Sequence, residues 1–318
     1  AAAFDPETWK QVSFQMAEEA GVTLRLHSWF SAAVVDQGAV RAVIVETKEG
    51  RQAITGRVFV DATGDGDLFA SAGAPHVKGA YMMTLVHRLA DVDVDRVMQF
   101  EREHPEEARA LNLQVKRLFG GSWDFWWLRT PRPGVIWCNT PHLHGLDGLA
   151  VSDLTYLEVE ARRRFVTAVA WLREHFPGFE RAYILDSAPQ AGVRQTRLLQ
   201  GEYVVTKDDI VQRRRFPDVV GRGRDYYIPY RALLPREVDQ LLVAGRHYSA
   251  TPEAQKISRE IPPCMVMGEA AGTAAALAVQ SGVRPRDVDV GALQERLRAQ
   301  GAVLDAPLAA TARDYSEV

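Results

Sequence analysis

The sequence predicts an α/β protein in which a nucleotide-binding domain is interrupted by a second, mixed α+β domain. Three observations carry that expectation. Two apolar runs end in glycine, VFVDATG at 58–64 and LLVAG at 241–245, and a strand that ends this way commonly delivers bare backbone to a phosphate. A series of β-branched runs separated by turn signals leads into the first of them. Between the two, the chain changes to charged helices and an aromatic cluster. The expected division is 1–76, an inserted domain over 77–235 whose C-terminal boundary falls between 190 and 235, then 236–304 and a tail over 305–318.

Taken in order, the chain opens on a helix. Asp5 suits the N-cap and Pro6 the first turn, Trp9, Val12, Met16 and Ala20 recur at helical spacing, and Gly21 closes it. Residues 22–64 then read as several strands, the first at 23–27, with turns at Asp36-Gln37-Gly38 and Lys48-Glu49-Gly50 and VFVDATG as the last strand. In the inserted domain, EREHPEEARALNLQVKRLF is a charged helix and GSWDFWWLRTPRPGVIWCNT brings together Trp123, Trp126, Trp127 and Trp137. DLTYLEVEARRRFVTAVAWLREHF is a long amphipathic helix with Asp153 as N-cap, Leu157, Ala161, Phe165, Ala168, Val169 and Leu172 on one stripe, and Pro177-Gly178 as its stop. After LLVAG, Ile261-Pro262-Pro263-Cys264 opens a small-residue helix. Its Gly268 and Gly272, four apart, suit close packing on a sheet or a ligand at the helix N-terminus. GALQERLRAQG is the last helix.

The stretch VFVDATGDGD fails the dinucleotide fingerprint. G-x-G-x-x-G would need a third glycine where Phe69 stands, and Asp65 and Asp67 would place negative charge beside a pyrophosphate. The two acids are expected to hydrogen-bond the turn and cap a helix beginning near Leu68.

Composition narrows the function classes. The 318 residues are 47% hydrophobic and 25% charged, ordinary for one large or two modest globular domains. A net charge of −3 and the lack of basic stretches interleaved with aromatics argue against nucleic acid as a partner. Cys138 and Cys264 make neither a disulfide framework nor a metal knuckle. No signal-peptide pattern opens the sequence and no run of about 18 apolar residues occurs. A soluble, cytoplasmic protein without a membrane partner is expected. Three alanines followed at once by a helix start look like a chain entered midway.

Four motifs in order, VFVDATGDGDLFASAGAP, GVRQTRLLQGEYVVTKDDI, YYIPYRALLP, and LLVAGRHYSATPEA with IPPCMVMGEAAGTAAALAV, resemble a known family over about residues 4–304. It is the FAD-dependent oxidoreductases related to the fumarate reductase and succinate dehydrogenase flavoproteins. The resemblance implies an FAD/NAD(P)-binding, glutathione-reductase-like Rossmann-type domain with an inserted α+β substrate or cap domain. It implies FAD as cofactor and hydride transfer between a small-molecule substrate and flavin N5. The backbone of Ala62, Thr63 and Gly64 would pass near the FAD diphosphate and adenosine. Ala244, Gly245 and Arg246 would run under the ribityl chain and ring, and Arg246, where many such proteins carry an acid, would face a phosphate or substrate anion. The helix after Ile261 would aim its N-terminus at the flavin N1 and C2 carbonyl, giving the N–H groups of Cys264 and Met265 an electrostatic job, with Gly268 close by.

Proteins of this family begin with a strand, a G-x-G-x-x-G turn, a helix and an acid-ended strand, about a hundred residues that do not precede Ala1 here. The FAD domain is therefore expected to be incomplete at its N-terminus, with those strands belonging between 23–27 and 58–62. A second chain or a further N-terminal segment is expected to complete the sheet and the FAD site.

The catalytic candidates are His247, Arg194 and Arg246. Arg194 and Arg197, three apart, suit a grip on an anion near the flavin edge, or structural ion pairs. His247, followed by Tyr248 and Ser249, suits proton transfer near neutral pH or a loop hydrogen bond. Cys264 at a helix N-terminus is expected to have a lowered pKa. His142 and His144 alternate as metal ligands on a strand can, but no third ligand is identifiable and no metal is assigned. The tryptophans wall a substrate pocket or form domain core. Two other readings stay open: a non-catalytic, flavin-capping subunit of a heteromer, and a metal-dependent hydrolase or binding module built on His142, His144, Asp65 and Asp67.

Overall fold

The computed structural model describes residues 3–120, 124–304, 307–308 and 315, so Trp123 lies outside the described residues. The chain forms two compact units, one from its start to Arg25 together with Tyr81–Val193, the other from Leu26–Ala80 together with Arg194 onward. Residues 194–235, within the range left open for the C-terminal boundary of the inserted domain, sit in the second unit, where Val205 bridges to Ala250 and the Leu199 N–H donates to the His247 carbonyl at 3.1 Å.

α1 (Pro6–Glu19) starts at Asp5, whose carboxylate accepts from the N–H groups of Glu7 and Thr8 at 2.9 and 3.2 Å. It buries none of its own residues, and Trp9, Val12, Phe14 and Met16 are 42%, 44%, 44% and 65% exposed. No strand forms at 23–27. A strand is held by its ladder, and among the described residues this stretch pairs with none. β1 (Trp29–Asp36), β2 (Ala39–Thr47) and β3 (Gly50–Thr55) make the antiparallel meander. β4 (Phe59–Asp61), α2 (Asp67–Ser71) and β5 (His76–Lys78) follow.

The first unit continues through β6 (Met83–Thr84), β7 (His87–Ala90), α3 (Val94–Glu103), α4 (Pro105–Leu118), β8 (Trp127–Arg129), β9 (Ile136–Cys138), β10 (His142–Leu143), α5 (Val151–His175) and β11 (Tyr183–Ser187). Strands β11, β7, β9 and β8 form one antiparallel sheet in that order. The expected single charged helix is broken at His104 because Pro105 cannot continue the backbone ladder and instead starts α4. α5 begins at Val151, with Ala150 in the cap position, and Asp153 lies in its first turn, where its carboxylate accepts from the Asp147 N–H at 2.8 Å. Its six-residue apolar stripe is buried as expected and packs into a core with Leu89, Val97, Phe119 and Ile136. Trp126 and Trp137 meet edge to face at 5.7 Å, with Trp126 exposed and Trp137 half-buried. His142 is buried, whereas His144 is exposed beyond the end of the two-residue strand β10. Among the described residues no group of three or more His, Cys, Asp or Glu could hold a metal ion. The metal-dependent reading therefore lacks a site among them.

The second unit resumes with β12 (Arg197–Leu199), paired to β5, then α6 (Lys207–Val211) and the hairpin β13 (Val219–Arg222) and β14 (Tyr227–Pro229). β15 (Leu241–Val243), α7 (Pro252–Ser258), α8 (Ile261–Ser281) and α9 (Val290–Ala299) complete it. Among the described residues no helix is long and apolar enough to cross a membrane.

α8 buries Met267, Ala270, Ala271, Ala274 and Ala278, and β13 lies directly on it. A Cβ at Gly221 would stand 2.0 Å from Val266 Cγ1. Val266 is β-branched and cannot swing away. Gly221→Ala is therefore expected to lower stability by about 1–3 kcal/mol through overpacking, read as a lower denaturant midpoint. Unchanged stability would mean that β13 and α8 can separate freely. Gly268 and Gly272 lie on the other side of α8, exposed, with nothing within 4 Å of an added Cβ. Their expected role in close packing on a sheet is absent among the described residues.

Candidate functional site

The second unit brings the two glycine-ended strands side by side. β15 pairs in parallel with β4, Leu241 opposite Phe59, Leu242 opposite Val60 and Val243 opposite Asp61, and the Ala244 N–H donates to the Asp61 carbonyl at 2.9 Å. Both strands therefore end at the same level, and the turns ATGDGD and AGRHYS leave the sheet as neighbours. The first turn carries Ala62 and Thr63 exposed and Gly64 half-buried. Gly64 has φ 83°, and a Cβ there would stand 2.0 Å from Arg246 Nη1. Glycine is thus required twice, for the left-handed backbone and for the guanidinium that lies against it.

Asp61 is the hub of the first turn, a residue the sequence reading did not single out. Fully buried, it accepts through Oδ1 from the Thr63 N–H at 3.0 Å, the Thr63 hydroxyl at 2.7 Å and His247 Nε2 at 3.1 Å, and through Oδ2 from the Phe69 N–H at 2.9 Å. Burial pushes its carboxyl pKa up, but the hydrogen bond and charge of His247 and the Phe69 and Thr63 donors outweigh it and hold the group below the ordinary carboxylate value. The available sequence signal was an acid closing an otherwise apolar strand directly before the turn.

Capping of α2 also differs from expectation. Its N-cap is Gly66, and no side chain there caps it. Asp61 reaches the Phe69 N–H from eight residues upstream, and the Thr63 hydroxyl accepts from the Asp67 N–H at 3.0 Å. Asp65 and Asp67 face other segments instead. Asp65 accepts from the Thr196 hydroxyl at 2.6 Å and from Arg246 Nη2 at 2.9 Å, while Arg197 donates to the Asp65 carbonyl at 3.1 Å and to Asp67 at 2.9 Å. The two acids stitch the turn to β12 and to the Arg246 turn, and Arg197 takes the structural ion pair.

On the second turn Gly245 and Arg246 are half-buried and His247 is fully buried. The His247 ring stacks on Phe69 at 5.7 Å, and among the described residues its Nδ1 has no hydrogen-bond partner. Arg194 is buried and the structure ties it to Arg246 through a residue that composition and spacing did not flag: Gln255 Nε2 donates to the Arg194 carbonyl at 2.9 Å and to the Arg246 carbonyl at 2.8 Å. Gln195 in turn donates to Gln255 Oε1 at 2.7 Å.

The N-terminus of α8 supplies less than expected in amides. Pro262 and Pro263 carry no N–H, and the Cys264 N–H is already committed to the Glu260 carbonyl at 3.2 Å. The helix dipole remains, but Cys264 and Met265 do not lend it free donors from the first turn. Nor is the Cys264 thiol acidic: burial raises its pKa more than the nearby Arg246 and Arg259 lower it. Met265 and Gly268 are exposed along α8. α8 packs against both β4 and β15, the strands from which the two turns leave.

The family model described as FAD dependent oxidoreductase matches residues 1–224 and 222–297. No curated protein matches the chain. The fold resembles a triple mutant of the flavin-dependent brominase Bmp2, at 13% identity and TM-score 0.45 over 92% of this chain and 59% of that one. It also resembles a geranylgeranyl bacteriochlorophyll reductase-like protein from Thermoplasma acidophilum, at 12% identity and TM-score 0.44 over 93% and 59%. A third resemblance is to p-nitrophenol 4-monooxygenase PnpA from Pseudomonas putida DLL-E4, at 9% identity and TM-score 0.40 over 92% and 54%. The chain thus spans 59% of the length of the first two of these structures.

Proposed function

The chain belongs to the FAD dependent oxidoreductase family, with FAD as its cofactor, and from that premise we propose that it moves a hydride between a small anionic substrate and the flavin. Within the family we place it beside the fumarate reductase and succinate dehydrogenase flavoproteins, on the four motifs described above. The observation that carries the reading is the guanidinium of Arg246 held against the bare Cα of Gly64, where two parallel strands end together. Close backbone approach next to a fixed cation is what an anionic group such as a diphosphate or carboxylate needs, and in that respect the residues fit FAD.

FAD, when bound, supplies the two-electron acceptor. The chain's own residues bind and orient. Arg246 meets the anion, Asp65 sets the direction of its guanidinium, and Gln255 holds the Arg246 and Arg194 backbones in fixed relation. The α8 dipole adds positive potential at its N-terminus. His247 is fully buried with its Nε2 facing Asp61, and we assign it to holding the turn rather than to proton transfer. Arg246→Ala is expected to weaken FAD binding about 10–100-fold, the loss of one charge-assisted pair, with Arg246→Lys recovering part of it. FAD titration of the protein in its flavin-binding form tests this, and an unchanged affinity in Arg246→Ala would sink the assignment.

We further propose that the flavin site is completed by a second chain or a longer N-terminal segment. Three features support it: among the described residues β4 pairs with β15 alone, α1 buries none of its own residues, and Ile261, Met265, Gly268 and Gly272 leave one face of α8 exposed. The purified chain should show flavin absorbance at roughly 370 and 450 nm in proportion to protein only when that segment is present. Stoichiometric, tightly held flavin in residues 1–318 by themselves would refute completion. Flavin retained with a partner but without redox activity would make this chain the capping half of a heteromer.

A further inference from the structure

We infer that the buried Asp61–His247 pair is a positioning device, holding the Gly64 turn and the Arg246 turn at the separation in which backbone and guanidinium meet one anion. The inference rests on the assignment of FAD to these turns, and it concerns residues that touch each other, not the cofactor.

Asp61 is the last residue of β4 and His247 follows Arg246 directly, so each sits at the root of one turn. Both are fully buried, and their side chains meet at 3.1 Å. The carboxylate also gathers the Thr63 N–H, the Thr63 hydroxyl and the Phe69 N–H, which sets the path of the backbone from Ala62 to Phe69 around Gly64. An ionised carboxylate offers only lone pairs, so Nε2 of His247 carries the hydrogen that it donates. The other ring nitrogen, Nδ1, is buried and makes no hydrogen bond among the described residues. Buried ring nitrogens are normally satisfied. The hydrogen bond that this ring does make is the one from Nε2 to Asp61. That bond fixes the backbone at 247, and with it the adjacent Arg246, whose carbonyl is pinned by Gln255 and whose guanidinium reaches Asp65.

The pair is separable from ordinary packing by the chemistry of substitutions at position 247. His247→Phe keeps an aromatic ring against Phe69 but donates nothing to Asp61. His247→Gln loses the ring and restores an N–H donor. Asp61→Asn keeps the size but presents an amide N–H₂ where one oxygen accepted. FAD affinity is measured by flavin fluorescence titration of the protein in its flavin-binding form, beside the urea midpoint of each variant. Positioning predicts that Asp61→Asn and His247→Phe weaken FAD binding tenfold or more, in line with the loss of a charge-assisted hydrogen bond. It also predicts that His247→Gln binds closer to wild type than His247→Phe although it packs worse. If affinity instead tracks the urea midpoint across the three variants, with His247→Phe better than His247→Gln, the pair is core structure and the inference is overturned. Should Asp61→Asn fail to fold, the two His247 variants decide the matter alone. Wild-type affinity that also ignores Arg246→Ala overturns the FAD assignment and this inference with it, whereas sensitivity to Arg246→Ala with indifference to the His247 variants overturns this inference only.

Discussion

Gly64→Ala should reduce FAD affinity by about a hundredfold, the loss of both close backbone approach and one oriented cation. Two effects combine. A residue with a Cβ at φ 83° is strained, at a cost of about 1–2 kcal/mol for the left-handed region. The Cβ would also enter the space of the Arg246 guanidinium, at 2.0 Å from Nη1 and 2.8 Å from Cζ. The guanidinium is the far end of a flexible side chain and can swing aside, so the clash alone is cheap. The consequence lies in what it leaves, since a displaced Arg246 gives up Asp65 and the position above residue 64 together. Stability should fall by about 1–2 kcal/mol, mostly backbone strain, because a pair this near the surface adds little.

The same geometry predicts non-additivity. In the background of Arg246→Ala the alanine at 64 meets no guanidinium, so the second substitution should cost only its backbone strain and the lost close approach, less affinity than it costs in the wild-type protein. Titration of FAD into the two single variants and the double variant measures the coupling. Strict additivity in the affinities would mean that Gly64 and Arg246 act at separate places, contrary to the contact seen here.

What could be read in the sequence divides along sequence separation. The α5 stripe from Leu157 to Leu172 is set by i, i+4 spacing and is buried as read. The two glycine-ended strands and the meander are equally local signals, carried by runs of apolar residues and turn residues within a few positions of each other. The links that make the site are not local: Asp61 and His247 are 186 residues apart, Arg246 and Asp65 181, and Thr196 and Asp65 131. Nothing in the spacing of GDGD reveals that its acids face Thr196, Arg197 and Arg246 while Asp61 does the capping. Where the signal was present it was outweighed. Pro262-Pro263 mark a helix start and also remove the amides that such a start would offer a ligand. Cys264 stands where a dipole lowers a thiol pKa, but its burial, a tertiary property, acts the other way and prevails. The strand expected at 23–27 has apolar alternation but no pairing strand among the described residues, and β-structure is a property of pairs.

The stability of the chain should fall between pH 6.5 and 4 by about 3 kcal/mol on account of one residue, His87. His87 lies on β7 in the core of the first unit, its ring 4.2 Å from that of Phe165 and its Nδ1 3.1 Å from the Thr140 carbonyl. Burial pushes its pKa down to about 4 from 6.5, against smaller raising effects of the Thr140 bond and Asp186. The sign follows from linkage. Below pH 6.5 the unfolded chain takes up a proton that the folded core excludes, so unfolding is favoured by about 1.4 kcal/mol for each unit of falling pH until the folded state titrates as well. Asp61 acts in a separate window: its carboxyl is held below 3.8, so its contribution is complete above that pH and is lost only as the pH falls through the lowered folded value. His87→Gln, which can still donate to the Thr140 carbonyl but does not titrate, should flatten the profile between pH 6.5 and 4 and leave the more acidic limb unchanged. Urea denaturation at half-unit pH steps compares the two proteins. Parallel profiles would mean that the imidazole is already accessible to protons in the folded state, and that the Phe165 core opens around it.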